Sequence, residues 1–303
     1  MRKLLAFVLV FAVAFGTAAR VPGGEKKDIT IGVSLLSLEH VFFNLIQEGV
    51  EGKAKELGVR VLCMDAAGDS GKQFSQIQDF ITQDVDAIIF APVNSGGSKS
   101  MVSLADAAGI PIFTMDVASD GKVVSHVATD NYRGGRLGAE WALKNILTEK
   151  KGDVCILAYN EVESCVNREK GFVDYMRENA PEVKIIDSQT YSGDQMKAAN
   201  VMQDMLTKFN KIDLVFGVGD MAVLGGITSA TAAGRTIPMI GFDGNPEGVA
   251  EIKKGGMFKA TVAQKPHEIG GRSVENVVKY LNGEKLEPVY LIDPTVIDIT
   301  NAQ

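Results

Sequence analysis

Cysteine is scarce in this chain of 303 residues, which contains three. None stands in a Cys-x-x-Cys pair or in the spacing typical of a metal site, so the sequence indicates neither a zinc site nor a dithiol redox centre. Cys63 and Cys155 lie in apolar runs and are expected to be small buried residues. Cys165 lies in a predicted loop, and a disulfide with Cys155 is the alternative to free thiols.

Basic clusters and phosphate-binding motifs are also missing. The 31 Lys and Arg residues are outnumbered by 38 Asp and Glu residues, which gives a net charge of −7. Nucleic acid is therefore not expected as a partner. The chain has no Gly-x-x-x-x-Gly-Lys-Ser/Thr motif, and the run 217–220 lacks the third glycine of a dinucleotide loop. We expect no cofactor and no metal.

A long apolar stretch near the start of the chain has the pattern of a secretory signal peptide. Arg2 and Lys3 precede an apolar run over 4–15, and small residues follow over 16–19. The run is shorter than the roughly 20 residues of a membrane-spanning helix. We predict a signal peptide over 1–19 and a periplasmic mature chain, without a lipid anchor because no cysteine lies near the cleavage site. An uncleaved anchor is the alternative.

From residue 28 onward, short β-branched runs alternate with amphipathic stretches of helical length. The predicted strands are 29–35, 60–64, 87–91, 111–115, 154–158, 183–186, 214–217 and 239–242. Unbroken apolar strands such as 87–91 are typical of a parallel sheet that is buried on both faces. The alternation predicts an α/β fold with doubly wound parallel sheets.

The two halves of the chain repeat each other. Three pairs of residues share the same separation along the chain. Asp86 and Asp213 each precede a predicted strand. Pro111 and Pro238 stand at or just before the start of a later strand, and Asp116 and Asp243 directly follow that strand. A repeat of this length indicates two similar α/β lobes rather than a solenoid, whose repeats are about 20 to 50 residues long. Open α/β sheets bind ligands beyond the carboxyl ends of their strands, so the cleft between the lobes is the predicted site.

Asp116 and Asp243 each follow an apolar strand directly, one in each predicted lobe. A carboxylate can accept hydrogen bonds from two neighbouring hydroxyl groups, which is a strong and directional contact. We therefore predict that both carboxylates face the cleft and bind a polyhydroxylated ligand. The alternative is that each one caps the helix that follows.

Aromatic, cationic and amide side chains complete the predicted site. Phe42 and Phe43 begin the first helix after a loop that contains His40, and flat aromatic faces suit the C–H patches of a sugar ring. Packing in the core is the alternative for either ring. Arg168 opens a helix of the second lobe and could donate a fork of hydrogen bonds, with a surface salt bridge as the alternative. The amide of Gln264 can both donate and accept.

Several stretches around these residues resemble the ribose-binding members of the periplasmic sugar-binding protein family: 33–43, 124–135, 168–172, 200–206, 241–248 and 260–270. The resemblance implies the type I periplasmic binding fold, with lobes joined by crossings near 129–131, 264–266 and 291–293. It places residues 28–129 and 265–291 in the N-terminal lobe and residues 130–264 and 292–303 in the C-terminal lobe. It also implies ligand contacts for His40, Phe42, Phe43, Asp116, Arg168, Asp243 and Gln264.

Several positions depart from the ribose-binding pattern. Val117 stands in place of an arginine, Ala91 and Gly219 stand in place of asparagines, and Gly193 stands in place of an aromatic wall. A hydroxyl group that loses its partner costs about 1–3 kcal/mol, so we expect a ligand other than ribose. Ala91 and Gly219 stay candidate ligand-contacting positions. The alternative is that other side chains supply the missing contacts, among them Glu39, Asn94, Asn160 and Tyr191.

The resemblance implies a receptor that closes over a small, pentose-like sugar or polyol, leaves it chemically unchanged and delivers it to the permease of an ABC importer. A receptor that signals through a chemoreceptor or a sensor kinase is the alternative. A sugar-processing enzyme would use Asp116 and Asp243 as acid and base about 6.5–9.5 Å apart, but no third orienting group accompanies them in the sequence. A sugar-responsive repressor would need a DNA-reading helix pair ahead of the first strand, where the predicted signal peptide stands.

Overall fold

The computed structural model describes residues 29–302. The signal peptide predicted over 1–19 therefore lies outside the described residues. Between residues 29 and 302, no helix is long and apolar enough to cross a membrane.

The first lobe is built on a parallel sheet of six strands: β1 (Thr30–Leu35), β2 (Arg60–Asp65), β3 (Ala87–Phe90), β4 (Ile112–Met115), β5 (His126–Thr129) and β11 (Val289–Ile292). Their order across the sheet is β11-β5-β4-β3-β1-β2. The helices that pack against it are α1 (Val41–Leu57), α2 (Ser70–Thr82), α3 (Lys99–Ala107) and α9 (Pro266–Leu281). Strand β3 is buried along its whole length, as its unbroken apolar sequence predicts.

The second lobe is built on another six-stranded sheet: β6 (Lys151–Ala158), β7 (Glu182–Thr190), β8 (Leu214–Gly217), β9 (Met239–Asp243), β10 (Phe258–Ala263) and β12 (Thr295–Asp298). Their order is β12-β10-β9-β8-β6-β7, and the edge strand β12 runs antiparallel to β10, which the sequence does not predict. The helices of this lobe are α4 (Asn131–Asn145), α5 (Glu163–Asn179), α6 (Gln195–Lys208), α7 (Asp220–Ala232) and α8 (Pro246–Lys253).

The two sheets use equivalent residues at equivalent positions, as the internal repeat predicts. Asp86 Oδ2 accepts a hydrogen bond from the Thr30 N–H (2.9 Å), and Asp213 Oδ2 accepts one from the Asp153 N–H (2.8 Å). Each carboxylate ties the residue before an inner strand to the strand beside it. The predicted α/β fold of two similar, doubly wound lobes is confirmed.

The chain passes between the two lobes after β5, after β10 and after β11. The passages lie between Thr129 and Asn131, between Ala263 and Pro266, and between Ile292 and Thr295. The lobe boundaries expected from the sequence, with residues 28–129 and 265–291 in one lobe and residues 130–264 and 292–303 in the other, stay a prediction.

Several strands lack the pattern by which the others are recognised in the sequence. Strands β5, β10, β11 and β12 are not predicted, and β11 is exposed at three of its four positions. Strand β7 extends well beyond the predicted 183–186 because it is an edge strand that carries polar residues on its half-buried surface. Strands β5 and β10 are buried, but polar residues interrupt their sequences: His126 and Thr129 in β5, and Lys259 and Thr261 in β10. An unbroken apolar run, rather than burial alone, is therefore what makes a strand of this fold visible in the sequence.

Helices α4 and α5 cross at two glycines that leave no room for a side chain. A Cβ atom added to Gly135 would lie 2.0 Å from the Arg168 carbonyl oxygen, and one added to Gly171 would lie 2.0 Å from the Tyr132 carbonyl oxygen. Backbone atoms cannot yield without moving a whole helix, so these glycines set the distance between the helices. The crossing also places the backbone of Arg168, a predicted site residue.

We expect Gly135→Ala to lower the free energy of unfolding by about 1–3 kcal/mol, because the new methyl group overpacks the helix crossing. Gly52→Ala is the matched control. Gly52 lies within α1, where an added Cβ atom meets nothing within 4 Å, so this change should stabilise the chain by about 0.5–1 kcal/mol. Chemical denaturation of both variants measures the effects, and an unchanged stability of Gly135→Ala would contradict the close crossing.

Candidate functional site

Asp116 and Asp243 stand at the carboxyl ends of β4 and β9. Both have positive φ angles, 60° for Asp116 and 117° for Asp243, which residues with side chains rarely adopt. Neighbouring strands hold these turns, since the Asp116 N–H donates to the Val127 carbonyl (2.8 Å) and the Gln264 N–H donates to the Asp243 carbonyl (3.0 Å). Strained backbone of this kind clusters at functional sites, and here it occurs at the equivalent strand end of each lobe.

A cavity between the lobes brings most of the predicted site residues together. It holds about 500 Å³ of space free of protein atoms, including its opening to solvent. The predicted residues that line it are His40, Phe42, Phe43, Asp116, Arg168, Gly219 and Asp243. The other lining residues are Leu36, Val117, Tyr159, Val162, Ser164, Cys165, Tyr191 and Asn245. Both lobes therefore contribute to one site at the carboxyl ends of their strands.

Arg168 is held in place through two of its nitrogen atoms. Nε donates to Asn131 Oδ1 (2.8 Å), and Nη1 donates to the Val218 carbonyl and to Asp243 Oδ1 (2.9 Å each). The guanidinium also lies over the Phe242 ring, 4.0 Å from its centroid. The side chain is 4% exposed, so the ion pair with Asp243 is buried rather than on the surface. Nη2 has no hydrogen-bond partner in the part of the chain that the structure describes, and it stays available to a ligand.

Asp243 connects the site to two of the passages between the lobes. Its Oδ1 accepts from Gln264 Nε2 (2.7 Å) as well as from Arg168, and Gln264 Oε1 accepts from Thr129 Oγ1 (2.6 Å). Burial raises the pKa of Asp243, and the effects of Arg168 and Gln264 oppose that shift. Gln264 does not line the cavity, so its contact with the site runs through the Asp243 carboxylate.

Asp116 is buried and incompletely hydrogen-bonded. Its side chain is 4% exposed, and its Oδ1 has no hydrogen-bond partner among residues 29–302. Burial raises the pKa of Asp116 to about 7; Arg168 opposes the shift, and Asp243 and Glu163 add to it. The helix-capping alternative does not apply, because the next element after β4 is a strand. A buried acceptor left unpaired costs about 1–3 kcal/mol, so this oxygen favours a ligand that donates a hydrogen bond.

Asn245 supplies a second unpaired acceptor and is absent from the predicted site. It is 8% exposed, and its Oδ1 also lacks a partner within the described chain. Its N–H donates to Asp220 Oδ2 (2.8 Å), and Asp220 Oδ1 accepts from Thr261 Oγ1 (2.6 Å). Burial raises the pKa of Asp220 well above its ordinary value. The only sequence signal for Asn245 is its position just after the strand-end Asp243.

Aromatic rings line the cavity on both lobes. Phe42 and Phe43 meet edge to face with centroids 5.5 Å apart, and the His40 ring meets Phe43 in the same way at 6.3 Å. Both phenylalanines are buried in the core, and both also line the cavity, so their contact with a ligand stays a prediction. Burial lowers the pKa of His40, so its neutral ring has one donor and one acceptor nitrogen. On the other lobe, the rings of Tyr159 and Tyr191 lie 5.7 Å apart.

These tyrosines occupy the space that two glycines leave open. A Cβ atom at Gly219 would lie 2.8 Å from the Tyr191 hydroxyl oxygen, and one at Gly193 would lie 2.9 Å from the Tyr159 ring. Gly219 and Gly193 are two of the positions that depart from the ribose-binding pattern. The departure is therefore compensated in space, because a tyrosine side chain from elsewhere in the lobe stands where each missing side chain would be.

Ala91 and Asn94 do not line the cavity, although they were predicted as ligand-contacting positions. The Ala91 carbonyl accepts from Gln73 Nε2 (2.9 Å), and Asn94 Oδ1 accepts from the Gly97 N–H (2.7 Å). These polar atoms are thus engaged within the first lobe, and ligand contacts at both positions stay predictions. Of the residues considered as substitutes, Tyr191 lines the cavity and Glu39 and Asn160 do not, and the ligand contacts of all three stay predictions.

The cysteines are free thiols, so the alternative of a Cys155–Cys165 disulfide is not realised. Cys165 lies within α5 rather than in the predicted loop, and it lines the cavity. Burial raises the pKa of Cys165 to about 12, so the thiol is neutral and forms part of the apolar wall.

The cavity has the chemistry of a hydrogen-bonding site. It offers acceptors on Asp116, Asp243 and Asn245, a guanidinium donor on Arg168, and aromatic faces. No group of three or more His, Cys, Asp and Glu side chains within residues 29–302 could hold a metal ion. Such an arrangement can hold a polar molecule from both sides through directional hydrogen bonds.

Known proteins share this sequence and architecture. Residues 31–285 match the family described as periplasmic binding protein domain. The ribose import binding protein of Bacillus subtilis is 34% identical over 269 residues, which cover 87% of this chain and 85% of that protein. The Caulobacter myo-inositol binding protein, solved with bound myo-inositol, has a TM-score of 0.84 and 29% identity, with 91% of this chain and 95% of that chain covered.

A further solved structure carries a different sugar. The periplasmic binding protein component of the arabinose ABC transporter from Shewanella sp. ANA-3, solved with alpha- and beta-L-arabinofuranose, has a TM-score of 0.83 and 27% identity, with 90% of this chain and 93% of that chain covered. The family match spans most of the chain, and the cleft between the two lobes agrees with it. The chain therefore belongs to the periplasmic binding protein domain family and is a solute-binding protein of the type I fold.

Proposed function

We propose that the protein is the periplasmic receptor of an ABC importer and that it closes over one small, neutral sugar or polyol. The observation that carries the proposal is the pair of buried, unpaired acceptors Asp116 Oδ1 and Asn245 Oδ1, which belong to different lobes and line one cavity. Hydroxyl groups on one ligand can donate to both. A polyhydroxylated ligand thus relieves both unpaired atoms and is held from both sides.

The charges of the cavity favour a neutral ligand. Asp243 is already paired with Arg168 at 2.9 Å, and Asp116, whose pKa is about 7, is partly protonated at neutral pH. A cationic ligand would compete with Arg168 for the carboxylates, and an anionic ligand would meet two acidic groups. Hydroxyl groups accept from the guanidinium and donate to the carboxylates without a charge of their own, and Phe42 and Phe43 can cover the C–H faces of the ligand.

The relatives support this ligand class without reducing it to one compound. The names of the proteins described above refer to ribose, myo-inositol and arabinofuranose. In this chain, Val117 lines the cavity in place of an arginine, and the tyrosines beside Gly219 and Gly193 reshape the second lobe. We therefore place the ligand among small sugars and polyols of pentose-like size and do not favour ribose itself.

Hinge closure couples binding to transport in this proposal. Contacts from both lobes are complete only when the cleft is closed, so a ligand shifts the equilibrium by its higher affinity for that form. The closed form is the one that the permease would receive. The signal peptide predicted over 1–19 would deliver the chain to the periplasm.

We expect at least one small sugar or polyol to raise the melting temperature of the purified protein, because a ligand that binds only the native state stabilises it. The screen contains D-ribose, L-arabinose, D-allose, D-apiose, myo-inositol and ribitol, each in excess. Matched salts of small amino acids and dicarboxylic acids are the controls. A shift produced only by the charged controls would contradict a neutral ligand.

We expect Asp116→Asn to weaken binding of that sugar at least tenfold, because the change replaces a carboxylate oxygen that accepts from the ligand with an amide donor. Asparagine tolerates the positive φ angle of this position, so the turn should persist. Asp106→Asn, on the exposed surface of α3, is the matched control and should bind normally. Isothermal titration calorimetry measures both, and equal affinities would remove Asp116 from the site.

The raised pKa of Asp116 also predicts a pH dependence of stability in the ligand-free protein. The unfolded carboxyl group titrates near about 3.9, and the folded one near 7, so the folded state holds the extra proton between these values. The stability that Asp116 contributes is present below pH 4 and is lost as the pH rises through 7. The melting temperature of Asp116→Asn relative to the wild type should therefore rise between pH 4.5 and about 8. A difference that does not change with pH would contradict the raised pKa.

A further inference from the structure

Helix α5 begins without a cap of its own, although it carries a large part of the site. Its N-cap residue is Val162, whose side chain cannot accept a hydrogen bond, and the first turns of the helix bring Ser164, Cys165 and Arg168 to the cavity. The first N–H groups of a helix have no partner within the helix. An apolar N-cap leaves them unsatisfied, so valine is among the least favourable residues there.

The missing cap comes from the other lobe. Ser95 lies in the loop between β3 and α3, and its Oγ accepts a hydrogen bond from the Glu163 N–H, the first of α5, at 3.1 Å. The Ser95 N–H also donates to the Glu161 carbonyl at 3.3 Å. We call the bond from Glu163 to Ser95 Oγ the cross-lobe cap. Ser95 is not one of the residues that line the ligand cavity.

The first lobe holds Ser95 in position by itself. The Ser95 carbonyl accepts from Ser98 Oγ (2.5 Å) and from the Asp120 N–H (3.2 Å), and Ser98 Oγ lies 2.6 Å from Ser119 Oγ. These partners all belong to the first lobe, so the loop keeps its shape whether or not α5 is near. The acceptor is thus ready before the lobes meet.

Opening of the cleft must break the cross-lobe cap. The passages between the lobes leave from β5 and β11 at one edge of the first sheet and involve β10 and β12 at one edge of the second. Strand β3, which precedes Ser95, and strand β6, which precedes α5, lie further across their sheets from those edges. A rotation about the passages therefore separates Ser95 from Glu163 and leaves the start of α5 exposed to water.

We propose that Ser95 is a positioning residue for ligand binding, because its hydroxyl group caps α5 only when the cleft is closed. The cap favours closure, and it steadies the helix that carries Arg168. Since Ser95 contributes to closure and not to ligand contact, it raises the affinity for every ligand of the site by the same factor. Only the affinity part of this inference rests on the proposed function.

The cap itself is tested in the closed protein, because an open cleft has no cap. Amide hydrogen exchange, followed by NMR, reports the protection of the Glu163 N–H in the protein saturated with a compound of the sugar screen, and the ligand-free protein shows how far opening removes that protection. We expect slower exchange in the wild type and in Ser95→Thr, which keeps a hydroxyl acceptor, than in Ser95→Ala. Ser103→Ala, which removes an exposed serine hydroxyl from α3, is the matched control and should exchange as the wild type does. Equal exchange of Glu163 in all four proteins, while a bound sugar holds the cleft closed, would overturn the proposal.

The effect on affinity is measured by calorimetry with each compound of the sugar screen that stabilises the wild type. Ser95→Ala should raise Kd about fivefold, the fold-change that corresponds to a typical helix cap, and Ser95→Thr should restore most of the loss. The factor should be the same for each ligand and should appear mainly in the dissociation rate. A factor that differs between ligands would place Ser95 in contact with them and overturn the inference. If no sugar binds the wild type, the proposed function fails, and the cap is judged separately in the ligand-free protein, where slower exchange of Glu163 in the wild type than in Ser95→Ala supports it.

Discussion

The buried guanidinium of Arg168 is the interaction on which the site depends. It joins the start of α4 through Asn131, the end of β8 through the Val218 carbonyl and the end of β9 through Asp243. A buried charge is costly unless it is paired and hydrogen-bonded, so these elements must stay together. The second lobe therefore presents a formed half of the site before a ligand arrives. The acceptors that stay unpaired, on Asp116 and Asn245, are the groups that we propose for the ligand.

The fold and the middle of the site could be predicted from sequence because both follow from strands buried on two faces. Such strands are continuous apolar runs, and the residue after each run lies at the carboxyl edge of a sheet, which places Asp116 and Asp243 in one cleft. Exposed edge strands such as β11 lack this signal, and so do β5 and β10, which are buried but contain polar residues. Asn245 and Tyr159 come from turns and loops, where no periodicity marks the direction of a side chain. The hydrogen bond from the Glu163 N–H to Ser95 Oγ joins residues of two lobes, so no local sequence pattern marks it.

The departures from the ribose-binding pattern show why single positions are poor guides to a ligand. In the sequence, Gly219 and Gly193 each stand where the ribose-binding pattern has a side chain. In space, the Tyr191 hydroxyl and the Tyr159 ring stand within 3 Å of where those side chains would begin. Groups of different shape and chemistry thus stand beside both glycines, and we infer from them a ligand other than ribose within the same family. Val117 has no such replacement among the polar lining residues.

We infer that ligand hydroxyl groups complete the hydrogen bonding of two acceptors, one from each lobe. A crystal structure with the sugar that stabilises the protein most tests it directly. We expect ligand oxygen atoms within about 2.5–3.0 Å of Asp116 Oδ1 and within about 3.0 Å of Asn245 Oδ1, in a closed cleft. A ligand bound elsewhere, or one in this cleft that leaves both atoms facing only water or apolar groups, would contradict it.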